Sequence, residues 1–235
     1  MSSVWAVVPA AGSGRRMAAE VPKQYLKLNG VPILEHTLRA LLACPDIRGV
    51  VVVLDPSDRR ADAIASLADP RVSRAAGGAE RADSVLAGLQ AVAKEAGAED
   101  WVLVHDAARP CISVGVLRSL ISSCTAAGVG TVVAQASVDT LKRVSEGNRV
   151  LETLDRQVIW RAQTPQMFKL VELMSALSTA LIDDIAITDE SMAMELAGYP
   201  VSILEGPSTN IKITLPADLE MAEIILRRLS GDSKL

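Results

Sequence analysis

Apolar positions along this chain follow two rhythms. In VWAVVP (Val4 to Pro9), GVVVVLD (Gly49 to Asp55), WVLVHD (Trp101 to Asp106) and GTVVAQ (Gly130 to Gln135) they run on without a polar face, the mark of strands buried on both sides. From Arg81 to Ala93 the pattern changes: Ala82, Val85, Leu86, Leu89 and Val92 or Ala93 recur at i, i+3, i+4 and i+7, which predicts a helix with one buried stripe. Strand, helix, strand repetition predicts a mostly parallel sheet covered on both faces, so the fold class is α/β.

The order breaks between Ser137 and Gln163. VDTLKRV and RVLETLD read as short alternating strands around SEGN, whose Gly147 and Asn148 can take the positive φ of a tight hairpin turn. A two-stranded ribbon is marginal alone in water, so this arm needs a surface to pack on, either a partner subunit or its own domain. VSILEG, NIKIT and a helix starting near Pro216 follow, with Thr214 as a cap, Asp218 and Glu220 at the positive helix end, and Arg227 and Arg228 at the negative one. With no linker or repeat in view, one domain over residues 1–235 is expected.

Composition narrows the partners. With 235 residues, 49% of them hydrophobic, the chain can bury a large core, and a net charge of -4 with pI near 5.3 argues against broad capture of nucleic acid. No apolar run reaches the roughly 18 to 20 residues of a membrane span, and the N-terminus lacks a basic secretory n-region, so a cytoplasmic protein without membrane partners is expected. Cys44, Cys111 and Cys124 form no CxxC pair and His36 and His105 stand far apart, which disfavours a zinc cluster or disulfide framework.

The candidate chemistry begins at VVPAAGSGRRM, Val7 to Met17. Met17 stands where the third glycine of a dinucleotide fingerprint belongs, no acidic residue ends a second strand at the ribose-binding distance, and GxxxxGK[ST] is absent. What remains is a turn carrying Gly12 and Gly14 followed by Arg15, Arg16 and Lys23. Backbone N–H groups and cations of this kind suit a phosphoryl group, although a solvated surface turn has the same composition.

Four further stretches accompany PAAGSGRRM and PKQYL in order: GGAERADSV (Gly77 to Val85), VHDAARP (Val104 to Pro110), RAQTPQMF (Arg161 to Phe168) and TNIKIT (Thr209 to Thr214). Together, from Val4 to about Leu229, they resemble the 2-C-methyl-D-erythritol 4-phosphate cytidylyltransferases of the bacterial non-mevalonate isoprenoid pathway. The resemblance implies a Rossmann-like nucleotidyltransferase domain with a protruding β-hairpin arm at about 137–163, a homodimer with interlocked arms, and Mg2+ as cofactor. The implied reaction joins CTP to methylerythritol 4-phosphate and releases pyrophosphate.

By the same resemblance Arg16 and Lys23 are catalytic, acting at the α-phosphate and leaving group. Ala10, Ala11, Gly12, Ser13 and Gly14 line the triphosphate and base pocket, and Gly78, Arg81 and Ser84 lie near cytosine and ribose. Ala79 replaces an acidic residue common in the family. Asp106 is placed near the polyol and the metal-bound phosphates, Ala107 contributes main chain and Arg109 helps shape the site, and Thr140, Arg156, Thr164 and Lys212 bind the second substrate, Thr140 and Arg156 from the other subunit. Asp106 is the one protein group expected near the metal.

Such a reaction needs little acid–base chemistry, because a phosphate monoester with a second pKa of roughly 6 is already mostly dianionic at neutral pH. Catalysis rests on alignment and on cations that bind the transition state. Asp83 is read as a helix-start residue, His105 as a packed side chain facing away from Asp106, and Lys142 and Arg143 as arm charges, with Arg161 left open. A cytidylyltransferase for another polyol phosphate, such as ribitol 5-phosphate, and a non-catalytic nucleotide-binding module are the competing readings.

Overall fold

The structure is a computed structural model that describes residues 2–12 and 21–229. Its strands are β1 (Val4–Pro9), β2 (Lys27–Leu28), β3 (Val31–Pro32), β4 (Ile47–Leu54), β5 (Val72–Ala76), β6 (Trp101–Val104), β7 (Gly130–Ala136), β8 (Lys142–Val144), β9 (Val150–Thr153), β10 (Trp160–Lys169) and β11 (Val201–Glu205). The helices are α1 (Ile33–Leu42), α2 (Arg81–Val92), α3 (Val114–Ala127), α4 (Leu170–Ile182), α5 (Glu190–Leu196) and α6 (Ala217–Leu229).

Seven strands form one sheet in the order β11-β7-β10-β6-β1-β4-β5. All neighbours are parallel except β10, which runs antiparallel to both β6 and β7. The four apolar runs are the strands expected of them, and alternate residues feed the two faces. Ala6, Val8, Val50, Val52 and Leu103 pack with Leu34, Leu38, Leu117 and Leu120 of α1 and α3. Val7, Val51, Val53, Val102 and Val104 pack with Val85, Leu89, Leu173 and Leu177 of α2 and α4. Cys44 and Cys124 are free thiols buried in the first of these faces, and Cys111 is a free thiol buried in a third cluster with Leu28, Ile33, Ile213 and Leu226.

The arm is present as the β8–β9 hairpin, closed at its base by a 3.0 Å bond from the Ser137 N–H to the Ile159 carbonyl. Arg143 pairs across it with Glu152 at 2.9 Å, and Lys142 donates to Thr153 Oγ1 at 2.6 Å, so both charges serve the ribbon itself. Two local expectations are corrected. Asn148 takes the positive φ of the turn, at 57°, whereas Gly147 does not. The Thr214 hydroxyl donates to the Lys212 carbonyl, and it is the Asp218 carboxylate that accepts the Thr214 and Leu215 N–H groups, both at 2.8 Å, at the start of α6. An acid near a helix start can reach back to those donors more easily than a hydroxyl already engaged upstream.

Among the described residues no helix is long and apolar enough to cross a membrane.

Candidate active site

Ligands of open α/β sheets collect beyond the carboxyl ends of the strands, and here the ends of β1, β4, β5 and β6 open on one cleft of about 610 Å³. Ala10, Ala11, Gly12, Lys23, Gly78, Arg81, Ser84, Asp106, Ala107 and Lys212, all expected from the sequence, line it. Ser13, Gly14, Arg15, Arg16 and Met17 lie outside the described residues.

Local hydrogen bonding explains how each wall is held. The turn after β1 is fastened by Gln24, a buried side chain that donates to the carbonyls of Ala10 at 2.8 Å and Gly12 at 3.1 Å. Opposite, the Gly78 N–H donates to Ser84 Oγ at 3.2 Å and Ser84 Oγ donates to the Glu80 carbonyl at 3.1 Å. A Cβ on Gly77 would overlap Ala11 of the facing loop, so the two loops approach as closely as they do only with glycine there, and one on Gly78 would overlap Asp83, so this loop folds against the start of α2 only with glycine. Asp83 has the helix-start role expected of it: its carboxylate accepts the Glu80 N–H at 2.9 Å in a capping box.

The floor is a charge cluster around Asp106, just past β6. Its carboxylate meets Lys212 Nζ at 2.8 Å, Arg81 Nη2 at 3.1 Å and Arg109 Nε at 3.7 Å. Burial by itself would raise the pKa of Asp106, but Arg81 and then Lys212 outweigh it and hold the carboxyl well below the usual carboxylate range. Arg81 in turn grips Glu190 with Nη1 at 2.5 Å and Nη2 at 3.1 Å, and these carboxylates keep its guanidinium charged despite its burial. Arg109 also donates to the Asn210 carbonyl at 2.8 Å, and Lys23 Nζ reaches the Ile213 carbonyl at 3.4 Å, so the NIKIT segment brings Lys212 and Lys23 to the same end of the cleft.

Behind Asp106 lies a relay of neutral groups. The Asp106 N–H donates to Thr164 Oγ1 at 3.0 Å, Thr164 Oγ1 lies 3.1 Å from His105 Nδ1, and His105 Nε2 lies 3.0 Å from the Arg109 carbonyl. A carbonyl can only accept, so Nε2 carries the proton and Nδ1 accepts from the threonine hydroxyl. Burial pushes His105 down to about 4, which keeps it neutral and packed, as expected. Thr164 and Arg109 are thus buried supports of the floor, and the threonine hydroxyl faces the protein interior.

Thr140 and Arg156 are not walls of this cleft. Both are exposed on the arm, where Arg156 Nη1 donates to the Val138 carbonyl at 2.8 Å. Sequence reasoning missed Gln24, Asp55, Glu190 and Asn210. Asp55, at the end of β4, lines the cleft while accepting from the Ser57 N–H and hydroxyl at 2.8 and 2.7 Å. Asn210 is fully buried and donates to Gln163 Oε1 and the Thr164 carbonyl, both at 2.9 Å. An arginine in the first turn of a helix, at the positive end of its dipole, calls for a carboxylate, and that requirement was the available signal for Glu190.

Comparison with known proteins gives this geometry relatives. The family model described as "IspD: 2-C-methyl-D-erythritol 4-phosphate cytidylyltransferase" matches residues 4–228. A 2-C-methyl-D-erythritol 4-phosphate cytidylyltransferase of Pseudomonas fluorescens (strain SBW25) is 51% identical over 221 residues, covering 94% of either chain. One from Vibrio parahaemolyticus serotype O3:K6 (strain RIMD 2210633) is 47% identical over 231 residues, covering 98% of either chain. Among solved structures, the Francisella tularensis enzyme of that name superposes with a TM-score of 0.81 at 34% identity, over 95% of this chain and 100% of its own. A 4-diphosphocytidyl-2C-methyl-D-erythritol synthase superposes with a TM-score of 0.82 at 33% identity, over 96% and 99%.

Proposed function

The chain belongs to the 2-C-methyl-D-erythritol 4-phosphate cytidylyltransferase family, and from that premise we propose how its cleft carries out cytidylyl transfer from CTP to methylerythritol 4-phosphate. The observation that carries the assignment of roles is the convergence on one cleft of the turn after β1, Lys23, the Gly78 to Ser84 loop, Asp106 and Lys212. CTP lies along the first and third of these, its triphosphate against main-chain groups of Ala10 to Gly14 and its nucleoside against Gly78, Arg81 and Ser84. The acceptor phosphate comes in beside Lys212, which leaves Asp106 for it. Its oxygen attacks the α-phosphorus in line, the bond to the bridging oxygen breaks, and pyrophosphate departs with that electron pair. Arg16 and Lys23 stabilise the charge gathering on the phosphorus and the leaving group.

A divalent ion, read as Mg2+, fits the donor chemistry of the cleft. Such an ion uses one or two carboxylates together with substrate phosphates, and Asp106 at the floor, its carboxyl ionised, is the group that would help hold it. When bound it would neutralise pyrophosphate charge.

The homodimer belongs to the same reading. Val138, Val144, Val150, Leu151 and Val158 of the arm are exposed, and Thr140 and Arg156 stand outside their own chain's cleft, which favours their serving a partner's. Mixing an Arg156 variant with a Lys23 variant restores activity if the arm acts in trans, and no recovery after confirmed subunit exchange would count against it. The whole chain then works as one domain, in the cytoplasm where CTP is made available.

The test of the reaction is pyrophosphate release with Mg2+, methylerythritol 4-phosphate and each ribonucleoside triphosphate in turn. Release with CTP alone is expected. Release only when ribitol 5-phosphate replaces the acceptor would move the assignment to another polyol phosphate.

A further inference from the structure

Glu190 has no part in the roles above, yet its side chain is 1% exposed and it is drawn into the cleft's charge cluster from a separate element. The start of α5 that carries it is firmly placed. Asp189 caps the helix by accepting the Met192 N–H at 3.1 Å, while buried Gln166 of β10 donates to Asp189 at 2.9 Å and accepts the Ser191 N–H at 2.8 Å. Burying a carboxylate to this extent is costly unless its charge is matched, and here the match is the two-pronged grip on Arg81. Four N–H bonds of Arg81 are engaged, two by Glu190 and two by Asp106 Oδ1, out of the five that a guanidinium has.

We infer that Glu190 is a positioning residue: it fixes the plane of Arg81 and offsets its charge, so that Arg81 braces Asp106 rather than seizing the incoming triphosphate. The geometry divides the Asp106 carboxylate, with Oδ1 held by Arg81 and Oδ2 left to Lys212 at 2.8 Å. An arginine released from Glu190 would attract the polyanionic substrate in the ground state, which tightens binding without helping the transition state. It would also turn away from Asp106, loosening the group that sets Lys212.

This inference rests on the cleft being the CTP site, and wild-type pyrophosphate release tests that reading separately. Glu190→Gln keeps shape and removes charge. Calorimetry with CTP and Mg2+, acceptor absent, is expected to show CTP binding tightened about threefold, while kcat falls about tenfold. Glu190→Asp keeps the charge but shortens the reach, so CTP affinity stays at the wild-type level while kcat still falls. A structural loosening of the site would instead weaken CTP binding in both variants, and that result overturns the inference, as do wild-type constants in Glu190→Gln. If Glu190→Gln does not fold, Glu190→Asp decides alone, because wild-type kcat in it sinks the positioning role.

Discussion

His105 makes stability depend on pH in a way that one substitution isolates. The imidazole is fully buried, donates from Nε2 to the Arg109 carbonyl and accepts at Nδ1 from Thr164, so the folded protein holds it neutral down to about 4 against an ordinary 6.5. Between those values the unfolded chain binds a proton that the folded chain refuses. Stability therefore rises with pH across that window and is lost as pH falls through it. Between pH 7 and pH 5 this one group withdraws about 2 kcal/mol, from 1.36 kcal/mol per pKa unit. For a chain of this size that amounts to a fall in Tm of roughly 4 to 8 °C. His105→Gln keeps a donor for the Arg109 carbonyl but leaves the Thr164 hydroxyl without its acceptor, costing about 1 kcal/mol at pH 7. It carries no proton-linked loss. Urea titrations at steps from pH 5 to 8 should find wild type the more stable at neutral pH, with the two curves crossing as the solution is acidified. Parallel curves would refute the reasoning, since they would mean that the buried ring titrates like a free one.

Lys23→Ala should lower turnover by about 10² to 10³ with CTP binding nearly intact, because its charge is needed mainly as negative charge gathers on the leaving group; rapid-quench kinetics beside equilibrium CTP titration separates the two. Lys212→Ala should raise the apparent KM for methylerythritol 4-phosphate about tenfold and, by removing one of the cations facing Asp106, move the acid limb of the pH–rate profile upward. Gly78→Ala forces a Cβ onto Asp83, so α2 or the loop must shift at a cost of about 1 to 3 kcal/mol, seen as a lower Tm together with weaker CTP binding.

The α/β order was legible because the parallel strands β1, β4, β6 and β7 are apolar on both faces, unlike the half-exposed edge strands β5 and β11, and the helix from Arg81 declared itself by its stripe. β10 was harder to read. Its stretch from Arg161 to Phe168 mixes Gln163, Thr164, Pro165 and Gln166 into an apolar frame, and its pairing with β7 changes register between Ala162 and Gln166. The pattern of a regular strand is broken at the place where Thr164 serves Asp106. The cleft was legible through the ordered motifs that resemble a known family, since residue types alone suited a solvated turn equally well, and its supports were not. Gln24, Asn210 and Glu190 are ordinary polar residues in sequence, and what distinguishes them is burial against partners such as Arg81, which lies 109 positions from Glu190. Thr164 was found for the right neighbourhood, but its hydroxyl faces His105 and the Asp106 backbone.

The arm leaves the sheet at the end of β7 and comes back at the start of β10, and because these strands are antiparallel neighbours, Ala136 and Trp160 stand directly opposite one another. Whatever lies between them hangs from a closed ladder. The ribbon can therefore lengthen, shorten or change its surface over generations without altering the spacing of the strands beneath it. A shortened ribbon sealed at Ser137 and Ile159 would leave the pairing of β7 with β10 in place, so the arm can be removed in the laboratory while the sheet that carries the cleft stays closed.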